Sequence, residues 1–174
     1  MRRHRITATI EHNVKERKTM KKQILGMALV GALGFSTPLL AAGAAQSIHV
    51  YKSPTCGCCT DWVEHMESNG FDVEVTDTHN MNRVKMEAGL SPNLASCHTA
   101  FVGDYVIEGH VPASDIQRLL ADAPKARGLA VPGMPAGSPG MEMGDRFDAY
   151  EVLQLNKDGS SEVYAKVDSA KSQY

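Results

Sequence analysis

Residues Ser53 to Val63 read SPTCGCCTDWV, placing Cys56, Cys58 and Cys59 within four consecutive positions at the start of a helical pattern. Thiols grouped in this way suit disulfide exchange, a structural staple or the binding of a soft metal. A helix N-terminus presents unpaired N–H groups and about half a positive charge, which lowers the pKa of a thiol and makes it a better nucleophile or ligand. The readings part at Cys58. A dithiol oxidoreductase needs one attacking and one resolving thiol, and Cys56 and Cys59 have the C-x-x-C spacing for it. A third thiol between them would scramble that pair, and bonding Cys58 to Cys59 would need a strained vicinal bridge.

Mononuclear zinc fits the spacing poorly, because structural zinc sites draw on separate C-x₂₋₄-C knuckles. Several thiolates packed together suit bridging between soft ions, and Cu(I) is the thiophilic ion an exported protein meets. Thiolates alone do not separate Cu(I) from zinc or iron–sulfur chemistry. A fourth cysteine stands in SCHTAF, where Cys97-His98-Thr99 directly precede a strand pattern.

Soft donors recur further on. Met134 in PGMP, and Met141 with Met143 in GMEMG, lie in a Gly/Pro-rich stretch without periodicity, where the usual use of methionine as core filler is weakest. Loops of more than about 12–15 residues tend to be functional or disordered. Met66, Met81 and Met86 are read instead as core. His110 in EGHVP is either a helix-flanking histidine or a ligand, and His98 gains weight as a ligand by adjoining Cys97. His49, His65 and His79 are read as surface or structural, and Trp62 as core. No carboxylate pair spaced for acid–base catalysis, no phosphate-cradling glycine loop and no nucleophile elbow occurs in the sequence.

The elements that must carry these residues follow from the pattern of apolar positions. SIHVYKS is β-prone and runs into the cysteines. Cys59, Trp62, Val63 and Met66 fall at i, i+3, i+4 and i+7, the stripe of an amphipathic helix, which Asn69-Gly70 closes. FDVEV alternates as a strand, and a second helix is expected from about Asn80 to Ala88. TAFV and YVIE flank a Gly103-Asp104 turn, a hairpin signal. VPASDIQRLLADAP is helical, with Pro112 and Asp115 in its first turn and a stripe at Ile116, Leu119, Leu120 and Ala123. After the Gly/Pro/Met loop, YEVLQL and SEVYAKV form a hairpin about Lys157 to Ser160.

The expected order, β-α-β-α-β-β-α with a long loop and a C-terminal β-hairpin, is that of a thioredoxin-like α/β fold. Its first βαβ unit should be right-handed with parallel strands. In such folds the loop before the third strand lies against the helix-start cysteines and usually carries a cis-proline. Here His98 or Thr99 stands in that place, so Cys97 should face Cys56, Cys58 and Cys59, and part of an oxidoreductase's substrate groove is missing.

Residues 20–45 carry a basic start, an apolar run and small residues ending at Ala44-Ala45, the pattern of a secretory signal peptide. Residues 1–19 are too long and polar for a signal's first region, so Met20 is read as the true start. The remaining 46–174 form a single domain. That domain keeps 10 basic and 18 acidic residues, a net charge of −8, which disfavours nucleic acid as a partner. A membrane would be met only through an uncleaved leader. Export to an oxidising compartment makes two structural disulfides the plain alternative to a site.

Across Ser47 to Val167, the C-x-C-C, S-C-H-T, G-H-V-P and P-G-M-P-x-G-S-P-G-M-E motifs make the chain similar to the CopG-type periplasmic copper-resistance proteins, a family long described only as a domain of unknown function. The resemblance implies a thioredoxin-like fold and copper handling or tolerance in the cell envelope. It makes Cys56, Cys58, Cys59 and Cys97 the copper thiolates, with Met134, Met141, Met143, His98 and His110 as supplementary groups. Two functions follow as expectations. The first is a periplasmic protein that binds Cu(I), as a single ion or a multinuclear cluster, alongside other copper-handling proteins. The second is a thiol–disulfide oxidoreductase using Cys56 and Cys59.

Overall fold

The structure is a computed structural model that describes residues 45–173. The leader expected over 20–45 and the segment 1–19 therefore lie outside the described residues, save Ala45. Strands β1 (Gln46–Lys52), β2 (Phe71–Asp77), β3 (Thr99–Val102), β4 (Tyr105–Glu108), β5 (Gly128–Ala130), β6 (Tyr150–Leu155) and β7 (Ser161–Val167) form one mixed sheet. Their spatial order is β2-β1-β3-β4-β5-β6-β7. Among the described residues the helices are α1 (Gly57–Ser68), α2 (Met81–Glu87) and α3 (Ala113–Asp122), with short 3₁₀ turns at Pro92–Leu94 and Ala170–Gln173. The expected β-α-β-α-β-β-α order is observed. Among the described residues no helix is long and apolar enough to cross a membrane.

β1 and β2 pair in parallel across the α1 crossover, Gln46 opposite Phe71, while β3 joins β1 antiparallel, Tyr51 opposite Thr99. The end of β1 that leads to the cysteines and the start of β3 that follows Cys97 are therefore neighbours. That pairing is what carries a residue 38 or more positions away back to the α1 N-terminus.

α1 forms as its spacing predicts. Cys59, Trp62, Val63 and Met66 are its buried face. Asn69 caps the end, its side-chain N–H donating to the His65 carbonyl at 2.7 Å, and Gly70 follows at φ +86°. The fully buried Trp62 also donates its indole N–H to the Val111 carbonyl at 2.9 Å, so its polar edge is satisfied in the core. Ile48, Val50, Ile107, Ile116, Leu119 and Leu129 complete the packing between helices and sheet.

Three expectations are corrected. Met86 is 73% exposed and Met81 is half-buried, because the two-turn α2 buries none of its residues. Ala123 is an exposed left-handed C-cap at φ +44° rather than part of the α3 stripe. The segment read as wholly loop begins with β5, a strand of three buried residues and too short to show alternation. Gly128 is required there, since a Cβ would lie 1.7 Å from the Val106 carbonyl oxygen. The terminal hairpin is antiparallel as expected, with a register shift at Val152/Leu153.

Candidate metal centre

Cys56 is the N-cap of α1, with extended backbone and no side-chain capping bond, and Cys58 and Cys59 fall in the first turn. Cys97 arrives from the turn before β3. The sulfurs of all four lie within 4.8 Å of one another. Cys56 and Cys59 are joined as a disulfide, Cα atoms 5.4 Å apart, whereas Cys58 and Cys97 are free thiols. Cys58 Sγ sits 3.5 Å from Cys56 Sγ. The alternative of two structural bridges is thus corrected to one bridge with two thiols beside it. The expectation that Cys97 would face the C-x-C-C segment agrees with the structure.

Two imidazoles converge on Cys97. His110 Nε2 is 3.0 Å and His98 Nδ1 is 3.3 Å from its sulfur. The protons can be assigned from the partners. His110 Nδ1 lies 2.8 Å from the Pro139 carbonyl, which only accepts, so Nδ1 carries the proton and Nε2 turns its lone pair to Cys97. Cys97 therefore donates its S–H to His110, and His98 Nδ1–H donates to the sulfur. This leaves His98 Nε2 buried with no partner. Burial holds both imidazoles below the ordinary histidine range, and His98 is lowered further by His110 and Lys85. Burial, with the neighbouring Cys58 adding to it, pushes the Cys97 thiol up to about 12.

The Gly/Pro/Met loop closes the site through its backbone. Ser96 Oγ donates to the Gly133 carbonyl, Pro139 accepts from His110, and Gly140 lies on the first turn of α1. A Cβ at Gly140 would stand 2.6 Å from Trp62 N and 2.7 Å from the Cys58 carbonyl oxygen. The thioethers are placed differently from the thiols. Met134 and Met143 are 53% and 60% exposed, and Met141 is half-buried.

His49 bonds Thr76 and His65 accepts from the Ala113 N–H, both structural as expected, and His79 is exposed. Sequence reasoning missed Lys85 and Glu108, which are ion-paired beneath the Cys97 turn. The available signal was a carboxylate ending the apolar run YVIE, in a strand with three buried residues out of four.

A mixed α/β domain that gathers four sulfurs at one helix start, with two neutral imidazoles on the one sulfur contributed from outside the helix, is a thiol-centre protein. Its donor set suits soft ions. Two solved structures, described as forms 1 and 2 of the copper resistance protein CopG, are each 46% identical to it at a TM-score of 0.68. They match over 72% and 71% of this chain and 99% and 98% of their own. The chain belongs to the CopG copper-resistance family. A family model described as "Protein of unknown function, DUF411" matches residues 94–141, a span holding Cys97, His98, His110 and the loop as far as Met141. No curated protein matches.

Proposed function

We propose that this chain is an exported copper-binding protein that serves copper handling and tolerance, taking Cu(I) on Cys56, Cys58, Cys59 and Cys97. The observation that carries the reading is the convergence of four sulfurs within 4.8 Å, one of them from a separate element. Membership of a family named for copper resistance supports it. The export pattern over residues 20–45 supports a periplasmic place of action. Copper is the cargo, and the full donor set is available only after reduction. Two electrons and two protons, given by a dithiol that leaves as its own disulfide, convert the Cys56–Cys59 bridge to two thiols. Each thiol that then binds Cu(I) releases its proton. Four thiolates in so small a volume favour bridging of more than one ion. His110 Nε2 is the nitrogen oriented to supplement them, its other nitrogen being fixed on Pro139. Met134, Met141 and Met143 would act at the rim, where copper arrives or leaves.

Anaerobic Cu(I) titration of the reduced protein, followed by native mass spectrometry and thiol alkylation, tests this. Two or more coppers bound together, with all four thiols protected, is the expected result. No tight copper overturns it.

The existing Cys56–Cys59 bond favours the oxidoreductase as a second reading. Cys58→Ser separates the two. Copper stoichiometry falls if the thiols are ligands, whereas disulfide exchange survives or improves if Cys56 and Cys59 are the working pair.

A further inference from the structure

The most heavily bonded side chain near the sulfurs is a buried carboxylate. Glu108 closes β4 and is fully buried. Its Oε1 accepts from Lys85 Nζ of α2 at 2.5 Å and from the Ser96 N–H at 2.6 Å, and its Oε2 accepts from Thr99 Oγ1 at 2.7 Å. Lys85 Nζ also donates to Thr99 Oγ1 at 3.1 Å. Ser96 and Thr99 bracket Cys97-His98, so one carboxylate holds both ends of the turn that delivers the fourth thiol.

The backbone after Glu108 continues the clamp. Gly109 N–H donates to the His98 carbonyl at 3.0 Å, and the next residue is His110, against Cys97. At Gly109, φ +71°, a Cβ would lie 2.5 Å from Ser96 Cβ and from the Val131 carbonyl oxygen, so the two segments meet in direct contact.

A buried ion pair is a weak stability device, and an apolar pair of similar volume often packs as well or better. What an apolar pair cannot do is accept the Ser96 N–H. We infer that Glu108 is a positioning residue for Cys97, fixing the Ser96–Thr99 turn so that the Cys97 sulfur meets His110 and the helix-start sulfurs. Lys85 and Thr99 complete the clamp, and the Lys85 charge balances the carboxylate so that its effect on Cys97 is one of placement. The consequence for copper loading rests on the proposed function, whereas the placement of Cys97 does not.

The metal-free, oxidised protein offers two alkylatable thiols, Cys58 and Cys97. The test compares their iodoacetamide rates, with Cys58 as internal reference, in two charge-balanced variants. Lys85→Met with Glu108→Gln keeps an acceptor for Ser96 N–H and keeps the wild-type rate ratio. Lys85→Met with Glu108→Leu removes the acceptor, and the Cys97:Cys58 ratio rises about tenfold, the equivalent of one net hydrogen bond. On reduction, the Leu variant holds Cu(I) about tenfold more weakly than the Gln variant. A wild-type ratio in a folded Leu variant overturns the assignment, as does an equal rise in both variants. Should the Leu variant not fold, Thr99→Val removes one hydroxyl donor without unbalancing charge. A ratio raised about threefold there supports the role, and an unchanged ratio overturns it. If the wild-type protein binds no copper, the proposed function fails, and the alkylation ratio still decides the placement of Cys97.

Discussion

His110 Nε2 stands 3.0 Å from Cys97 Sγ while its Nδ1 is held at 2.8 Å by the Pro139 carbonyl, so the lone pair facing the sulfur is set by a loop residue 29 positions further on. A ligand nitrogen is commonly oriented in this way, by what its other ring nitrogen bonds. The arrangement links three separate stretches: the turn before β3, the segment after β4 and the long loop.

His110→Ala should accordingly weaken Cu(I) binding by about 10- to 100-fold, the range for losing a group that orients or supplements a metal site. Competition with a Cu(I)-selective chelator reads this directly. The Cys56–Cys59 bridge should still form, since both of its sulfurs come from the start of one helix. Unchanged copper affinity in a folded variant would remove His110 from the site.

Gly140→Ala should be severe for its size. The residue sits at φ +79°, and its new methyl would meet Trp62 N at 2.6 Å and the Cys58 carbonyl oxygen at 2.7 Å, both backbone atoms that cannot swing aside. Overpacking typically costs about 1–3 kcal/mol, and a left-handed non-glycine residue adds to it. Gly144, at φ +61° with nothing within 4 Å of its Cβ position, is the control, bearing only the conformational part. Thermal unfolding should rank wild type above Gly144→Ala and Gly144→Ala above Gly140→Ala. Equal midpoints for the two variants would mean that the loop does not press on α1.

Much of this architecture was legible because the sequence signals were local. The α1 stripe, the Asn69-Gly70 cap and the Gly103-Asp104 hairpin each occupy a few adjacent residues. The C-x-C-C segment and Cys97 could be brought together by reasoning from element order, since in a thioredoxin-like order the loop before the third strand lies against the helix start, and the observed β1–β3 pairing agrees. The disulfide partner within C-x-C-C was legible as a spacing, but not as a state. Met86 departs from its expected core place because its helix buries nothing, a tertiary fact that periodicity over seven residues does not carry. β5 and the Glu108–Lys85 pair were hidden for a related reason. A three-residue strand has no period to detect, and although Glu108 stands out as a carboxylate closing the apolar run YVIE, nothing local names Lys85, 23 positions away, as its partner.

The Cys97 thiol, pushed up to about 12 by burial and by Cys58, implies a defined pH dependence. Its folded value lies above that of an exposed thiol, about 8.5, so the folded state keeps the proton more tightly than the unfolded chain does. Its contribution to stability is fully present below about pH 8.5 and is lost as pH rises towards about 12. In the metal-free oxidised protein, Cys97 should therefore alkylate far more slowly at pH 8 than an exposed thiol does. Denaturant midpoints measured between pH 8 and pH 11 should fall with pH, and Cys97→Ala should flatten that slope. An equally steep slope in the variant would assign the effect to other groups.

Gln173 ties the last turn of the described chain to the loop over the site. It is 1% exposed, its Nε2 donates to the Gly137 carbonyl at 2.8 Å, and its Oε1 accepts from Tyr150 O–H at 2.6 Å. Gly137 N–H in turn donates to the Met141 carbonyl at 2.8 Å, and Met141 N–H to the Ser138 carbonyl at 2.7 Å, which makes Gly137 to Met141 a compact bonded turn with Pro139 and Gly140 inside it. Gln173→Ala removes the donor to Gly137 and leaves a buried acceptor unmatched, a loss of about 1–3 kcal/mol. The effect should be local before it is global. Amide exchange at Gly137 and Met141 should accelerate about tenfold or more, the lower figure corresponding to about 1.4 kcal/mol of local opening, while Ile48 and Ile107 in the central strands keep their protection relative to the global stability. Because the same turn presents the Pro139 carbonyl to His110, the variant should also release Cu(I) faster than wild type. Slowed or unchanged exchange at Gly137 would show that the turn holds itself, and that Gln173 serves only to seat the chain end against Tyr150.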